Sequence, residues 1–431
     1  MDGEVIKYQK FFEHFLSSVN SADQLPVKII VPTTTKAEVK GTVIDWILQY
    51  LYSWSCPRSL ISPLAKVILD EVKPSLDTTV CPFYNEQQGV FTPIPLMQYV
   101  IGKIREICQR FVDGKLQYPQ PVSDQPNYLS IFATKNRRRC MEDCHVIISD
   151  LNVLFDVKTP NRANYYAIFD GHNGSGAALY SSAHLHQFLV ESQFYPMYPD
   201  QALNDAFKMT DRHLLEKEDT QFKRSGTTAV CVLWHQDENM LYTAWVGDSE
   251  AILAKKGKIY KLVEPHRAAR EDERQRISDL KGVVLFWGAS WRVNGQLAIS
   301  RAIGDSEHKP HVSSTPDIVS LQLDGDEDFV ILACDGLWDS VTYEKAAQAV
   351  YNHVQSDPDI RVSSVKKVGR NWNPNLRLLI SPSAAQANLY RSGTSGSFWH
   401  RPIHKWHKWA ILTNLHYVGS VLYTSGTNGS F

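Results

Sequence analysis

Four short stretches carry carboxylates where chemistry could use them. In "AIFDGHNG" an apolar run stops on Asp170, and Gly171 and His172 follow at once. "AWVGDSE" ends on Asp248, and "VILACDGLWD" ends on Asp335 with Asp339 four residues later. "RRRCMEDCHV" sets Glu142 and Asp143 just after Arg137, Arg138 and Arg139. Carboxylates at strand ends can converge at one edge of a sheet. Such a cluster repels itself and shifts its own pKa values unless a cation neutralises it. Oxygen ligands without a Cys or His cluster favour Mg²⁺ or Mn²⁺ over zinc. Glycine beside an aspartate lets backbone approach closely and offers its own carbonyl. One Asp-Gly is ordinarily a turn. The whole set, in this order and with "SRAIGD" before the last stretch, is not generic.

The elements that position these residues fall into three textures. Residues 1–120 read as helical. "EVIKYQKFFEHFLSSV" places Val5, Phe11, Phe12 and Phe15 near one face, and "PIPLMQYVIGKIREICQRFVDG" spaces Leu96, Val100, Ile104 and Phe111 likewise, with Gly114 as a stop. Pro119, Pro121 and Pro126 mark a linker. From 124 to 352, β-rich runs such as "YYAIFD", "TAVCVLW", "LYTAWVGD" and "FVILACDG" mix with helical "NDAFKMTDRHLLEKE" and "AAREDERQRISDLKG". That mixture predicts an α+β layered domain. Residues 353–431 are rich in Ser, Asn, Gly and Pro and are expected to be poorly ordered.

Composition narrows the function classes. Of 431 residues, 43% are hydrophobic and 21% charged, as in a soluble globular chain. The net charge of −1 gives no global field toward nucleic acid or membrane. It is unevenly spread: from Ala346 onward nine Lys/Arg face only Asp357 and Asp359, a tail of +7 against about −8 for the rest. Seven scattered cysteines suggest reduced thiols inside a cell, and "MDGEVIKYQKFF" does not read as a signal peptide. The expectation is therefore a cytoplasmic protein, with a nuclear fraction allowed. Cys140, Cys144 and His145 are poorly spaced for zinc, and His400, His404 and His407 are read as tail residues rather than a metal site.

"RRRCMED", "FDGHNG", "SGTTA", "VGDS", "WRVNGQLAISRAIGD" and "ILACDGLWD" resemble the metal-dependent protein phosphatases of type 2C, in that family's order. The likeness covers about residues 124–350. "EPHRAAREDERQRI" and the helical N-terminal region resemble the animal subgroup containing the calmodulin-kinase phosphatase and the nematode sex-determination phosphatase. The resemblance implies a four-layer αββα sandwich, two antiparallel sheets flanked by helices and preceded by the helical region. It implies two Mg²⁺ or Mn²⁺ ions bridged by Asp170, with the Gly171 carbonyl on one and Asp335 on the other. Asp143 joins the metal-holding set, and Glu142 acts through water on the ions. Asp248 matches a weaker third metal position, and Asp339 stands behind Asp335. Arg138 matches the arginine that grips the substrate phosphate, with Arg137 and Arg139 as rivals. His172 is placed to protonate the leaving serine or threonine alkoxide. Implied partners are phosphoproteins, protein kinases among them, and a protein partner of residues 1–120. A monomer is expected, with no nucleic acid and no membrane. Asn173 stands where glycine is common and tolerates positive φ. Glu250 stands where many members carry Arg, with little effect expected on metals.

One departure weighs on activity. Family members continue past the Asp335 segment with about two helices and a closing strand, preceded by an Asp-Asn pair whose aspartate is a further ligand. No Asp-Asn occurs in residues 341–431. The tail is thus expected to lack the strand and the ligand, leaving a sheet edge uncovered. Two readings follow: a serine/threonine phosphatase, and a catalytically impaired phosphatase-like scaffold. A metal-dependent nuclease is disfavoured by the absence of a broad basic face before the tail.

Overall fold

In the computed structural model the described residues are 2–19, 27–29, 31–119, 129–134, 138–217, 220–356 and 408–414. Two five-stranded antiparallel sheets lie face to face. The first runs Asp317–Gln322, Met240–Val246, Ala229–His235, Ala163–Phe169, Cys144–Ile148. The second runs Lys258–Lys261, Glu250–Lys255, Glu327–Ala333, Lys408–Asn414, Leu129–Thr134. Ala163–Phe169 is buried along its whole length because both of its faces are covered. Its Tyr166 and Ile168 point between the sheets, toward Leu253, Val330 and Leu332. Its Tyr165, Ala167 and Phe169 point outward, under helices Gly176–Glu191 and Pro199–Leu215. On the far side, Ile252, Phe329 and Ile331 of the second sheet are covered by Leu337, Val341, Ala346 and Val350. The period-2 alternation of strand side chains thus produces the layered core. The expected α+β sandwich is present. No described helix is long and apolar enough to cross a membrane.

The N-terminal helices are Asp2–Ser18, Val39–Ser53, Arg58–Val72 and Pro93–Val112. Phe11, Phe12, Phe15, Leu96, Val100, Ile104 and Phe111 are buried as the spacing predicts. These helices share their core with the sandwich. One continuous apolar cluster joins Phe12, Ile44 and Trp46 to Tyr165, Phe169, Leu185 and Phe207. Cutting near residue 120 would expose that shared core to water.

A buried polar knot locks the same junction. Glu38, 1% exposed, accepts from Lys217 Nζ at 2.6 Å and from the Tyr180 hydroxyl at 2.5 Å. Burial alone would raise its pKa, but Lys217, His184 and Tyr180 outweigh that and hold it at about 2. Charge-assisted bonds of this kind, once buried, are costly to leave half-made. Next to it, helix Val39–Ser53 meets helix Gly176–Glu191 at Gly41. The Gly41 N–H donates to Gln187 Oε1 at 2.9 Å, and a Cβ there would stand 2.3 Å from that oxygen and 2.7 Å from the Ala183 carbonyl.

The C-terminal expectations also change. Lys408–Asn414 does form a closing strand, paired with Glu327–Ala333 on one side and Leu129–Thr134 on the other. Sheet pairing uses backbone groups, so "KWAILTN" completes the ladder without the family's motif. Helix Tyr343–Ser356 runs through the boundary expected at 352. Residues 357–407 and 415–431 lie outside the described residues. With them go the expected disorder of the tail, Asp357, Asp359, His400, His404 and His407. The Pro119–Pro126 linker lies largely outside as well.

Alanine normally strengthens a helix relative to glycine. Gly41→Ala should do the opposite here, lowering stability by about 1–3 kcal/mol through overpacking. Denaturant unfolding measures it; a variant as stable as the wild type would show that the two helices do not meet at this position.

Candidate metal centre

Strand Ala163–Phe169 delivers Asp170 to the end of the sandwich, and the two-residue strand Gly171–His172 turns away to pair with Gly226–Thr227. The Asp170 carbonyl accepts the Thr228 N–H at 3.0 Å, fixing the turn. A Cβ on Gly171 would stand 2.4 Å from the Glu142 carbonyl. Glycine is therefore the residue that lets the "MED" segment close against "DGH". The neighbouring Asn173 adopts φ +56°, the left-handed conformation expected for it.

Around this turn the carboxylates converge. Asp143, at 4% exposure, and Asp170 interact directly, and Asp335 joins them. Burial first, and then mutual like-charge repulsion, drives their pKa values up: Asp143 to about 7, Asp335 to about 9, Asp170 far above the usual carboxylate range. Asp248 is raised as well, by burial and by Asp339, against the pull of Arg267. Asp339 sits exposed on the rim with Arg267 Nη2 3.7 Å away. The Asp143 Oδ1 atom is buried with no hydrogen-bond partner. An orphaned buried oxygen inside a cluster of anions fits a divalent cation, whose charge would reverse these shifts. Among the described residues, the one group with metal-ligand spacing is Asp143, Asp170 and Cys334, with one donor atom from each within 4.8 Å of the others.

Glu142 stands at the flank. Its Oε1 accepts the Gly174 N–H at 3.0 Å, and Arg138 Nη1 lies 3.7 Å from its Oε2. Arg138 is thus brought to the carboxylates. Arg139 is exposed, and Arg137 lies outside the described residues.

His172 has a partner that motif reading did not identify. Its Nε2 lies 2.8 Å from Asp305 Oδ2, and Asp305 is 2% exposed. Burial pushes the imidazole pKa down, but Asp305, with Asp248 and Glu142 beyond it, more than offsets this and raises it. A quarter of the His172 side chain stays accessible. A Cβ on Gly226 would fall 2.2 Å from Asp305 Oδ2, so "SGTTA" supplies the gap into which "SRAIGD" places its carboxylate. The signal was present: Asp305 ends a run in Gly-Asp, as Asp248 does.

Cys334 was missed too, although it immediately precedes Asp335; its Sγ donates to Asp143 Oδ2 at 3.6 Å. Cys334 and Asp335 directly follow strand Glu327–Ala333, which delivers both to the cluster. Cys140 and Cys144 are not part of this group. Glu250 proves structural: it is buried, it accepts the Tyr343 hydroxyl, and its carbonyl accepts the Trp338 indole N–H, tying the last helices to the second sheet.

Comparison with known proteins agrees with the residues. The family model described as Protein phosphatase 2C matches residues 128–370. Protein phosphatase 1E of Mus musculus is 42% identical over 329 residues, which are 75% of this chain but 43% of that relative's length. The chain therefore spans less than half of that protein. Protein phosphatase 1F of Homo sapiens is 34% identical over 374 residues, 81% of this chain and 80% of its own. A solved structure described as a C. elegans sex determining protein shares the fold, with TM-score 0.69 at 19% identity over 90% of each chain. Motif order, fold and similarity converge: the chain belongs to the protein phosphatase 2C family.

Proposed function

We propose that the chain is a metal-dependent phosphatase that hydrolyses phosphoserine and phosphothreonine on proteins. The observation that carries this reading is the junction of a buried carboxylate cluster with a protonatable imidazole and a guanidinium at one sheet edge. Two Mg²⁺ or Mn²⁺ ions held by Asp170, Asp335, Asp143 and the Gly171 carbonyl, with Asp248 as a weaker third position, would supply the charge that acidifies an attacking water.

The chain's own groups account for the rest. Arg138 presents a planar fork that suits phosphate oxygens and sits beside the carboxylates rather than among them. A serine alkoxide is a strong base and leaves only if it receives a proton. His172 can give one, and Asp305 holds Nε2 so that the other ring nitrogen is the one left for the substrate. Because Asp305 is buried, its charge acts on the imidazole with little screening. Substrates would be phosphoproteins, protein kinases among them, and the N-terminal helices would meet a protein partner. A cytoplasmic, monomeric protein is the accompanying proposal.

A second reading, an impaired phosphatase-like scaffold, has its own support. No Asp or Glu follows Asp359 in the sequence, so strand Lys408–Asn414 is not led in by a carboxylate. A dication short of one anionic ligand binds less tightly. A phosphopeptide assay at rising Mn²⁺ separates the readings. Turnover that Asp170→Asn abolishes without unfolding the chain supports the enzyme; no turnover at any Mn²⁺ supports the scaffold.

His172→Ala should cut turnover on phosphoserine peptides by about 10²–10⁴. It should matter far less for p-nitrophenyl phosphate, whose leaving group needs little protonation. Equal losses on the two substrates would remove His172 from the acid role.

A further inference from the structure

We propose that the hairpin formed by Val284–Trp287 and Ser290–Val293 docks on a lipid surface that carries anionic headgroups such as phosphatidylserine. Its strands pair from Val284 with Val293 to Trp287 with Ser290, around a two-residue loop of Gly288 and Ala289. Both loop residues have positive φ, +60° and +78°, as a tight type I′ turn requires. The base of the hairpin is anchored: Val293 is 1% exposed and packs with Ile277, Ile299 and Val312. Toward the loop the burial ends but the apolar residues continue. Leu285 is 50% exposed, Phe286 61% and Trp287 71%, and Val283 and Trp291 are exposed beside them. A contiguous apolar patch of this kind on a folded surface marks a contact site.

Geometry and charge select the occupant. Successive strand side chains point to opposite faces, so Leu285 and Trp287 lie on one face of the hairpin and Phe286 on the other. All three are at least half exposed. The flat face of a protein partner, or of a second copy, covers one side of a hairpin, whereas a fluid layer closes around both. A four-residue strand is about 13 Å long, enough for the roughly 5–10 Å that interfacial segments sink into the headgroup boundary. Tryptophan, an apolar ring with one N–H, favours that depth. Residues 280–304 contain no Asp or Glu, and Lys281 and Arg292 flank the apolar stretch. Among the described residues neither has a carboxylate partner. Arg274 stands on the same side, 4.9 Å from the Trp291 ring centre, with Glu271 3.2 Å away. Asp279, just before this stretch, accepts the Gln275 amide. The whole chain carries −1 and has no general attraction to an anionic surface, so the contact is local to this collar. Each Lys or Arg held near such a surface strengthens binding about fivefold. Apolar insertion and anionic attraction add, and the hairpin supplies both.

The test is co-sedimentation of the full chain with vesicles of phosphatidylcholine and phosphatidylserine in equal parts, and with vesicles of phosphatidylcholine alone. The expected result is binding to the mixed vesicles that weakens as salt rises, and much weaker binding to the neutral ones. Phe286→Ser combined with Trp287→Ser should lower affinity for the mixed vesicles at least about tenfold. Both side chains are exposed, so the melting temperature should stay that of the wild type. Lys281→Glu combined with Arg292→Glu should weaken binding to the mixed vesicles and leave the neutral ones unaffected; this pair decides alone if the serine variant unfolds. Failure of the wild type to bind the mixed vesicles overturns the proposal, as does equal binding by the variants. Vesicle binding unchanged in the serine variant, with loss of phosphoprotein turnover or of a dimer in sedimentation, also overturns it and assigns the hairpin to a protein partner.

Discussion

Asp143, Asp170, Asp248 and Asp335 are gathered where water is scarce, and four carboxylates cannot all stay ionised there without a counter-charge. This repulsion is the constraint to which the surrounding structure answers. Left alone it raises the pKa values and would push the strand ends apart. Neutralised by cations, it becomes a rigid, pre-arranged ligand set. Each segment that holds a carboxylate is accordingly fastened from outside the cluster. Thr228 holds the Asp170 carbonyl, Gly174 holds Glu142, and Gly171 allows the approach of the Glu142 backbone.

The fastening extends well beyond the site. Ala333 pairs with Ala410, so a strand distant in sequence supports the backbone two residues before Asp335. Glu250, two residues after Asp248, accepts the Tyr343 hydroxyl and so ties that strand end to the helix beyond Asp335. On the opposite face, Glu38 reaches Lys217 and Tyr180, and Lys217 precedes the segment that leads into Ser225 and Gly226. The Ser225 carbonyl accepts the Asp305 N–H at 3.0 Å. The N-terminal helices are thus tied, through Glu38 and Lys217, to the chain just ahead of the segment that places Asp305 against His172.

Much of this was legible in the residues. Strands ending in Asp-Gly or Gly-Asp announced the cluster because apolar runs do not stop on carboxylates without cause. Helical spacing found Phe11, Phe12, Phe15 and the Leu96–Phe111 face because both periods are short. What escaped depends on pairing across long sequence separations. His172 and Asp305 are brought together by the short three-stranded sheet of Gly171–His172, Gly226–Thr227 and Ile303–Gly304, which no local pattern encodes. The insertion of Lys408–Asn414 beside Glu327–Ala333 is likewise a backbone event, invisible to a motif search for Asp-Asn. The shared core of the N-terminal helices and the sandwich is likewise a long-range contact, made through helix Val39–Ser53, which is buried along most of its length.

The most direct test of the central claim is anomalous diffraction from crystals of the full chain grown with Mn²⁺. The account predicts two peaks at the end of the sandwich, about 3.5–4 Å apart, both within bonding distance of Asp170, with Asp335 on one of them. Crystals saturated with Mn²⁺ that show no peak beside Asp170 would contradict it.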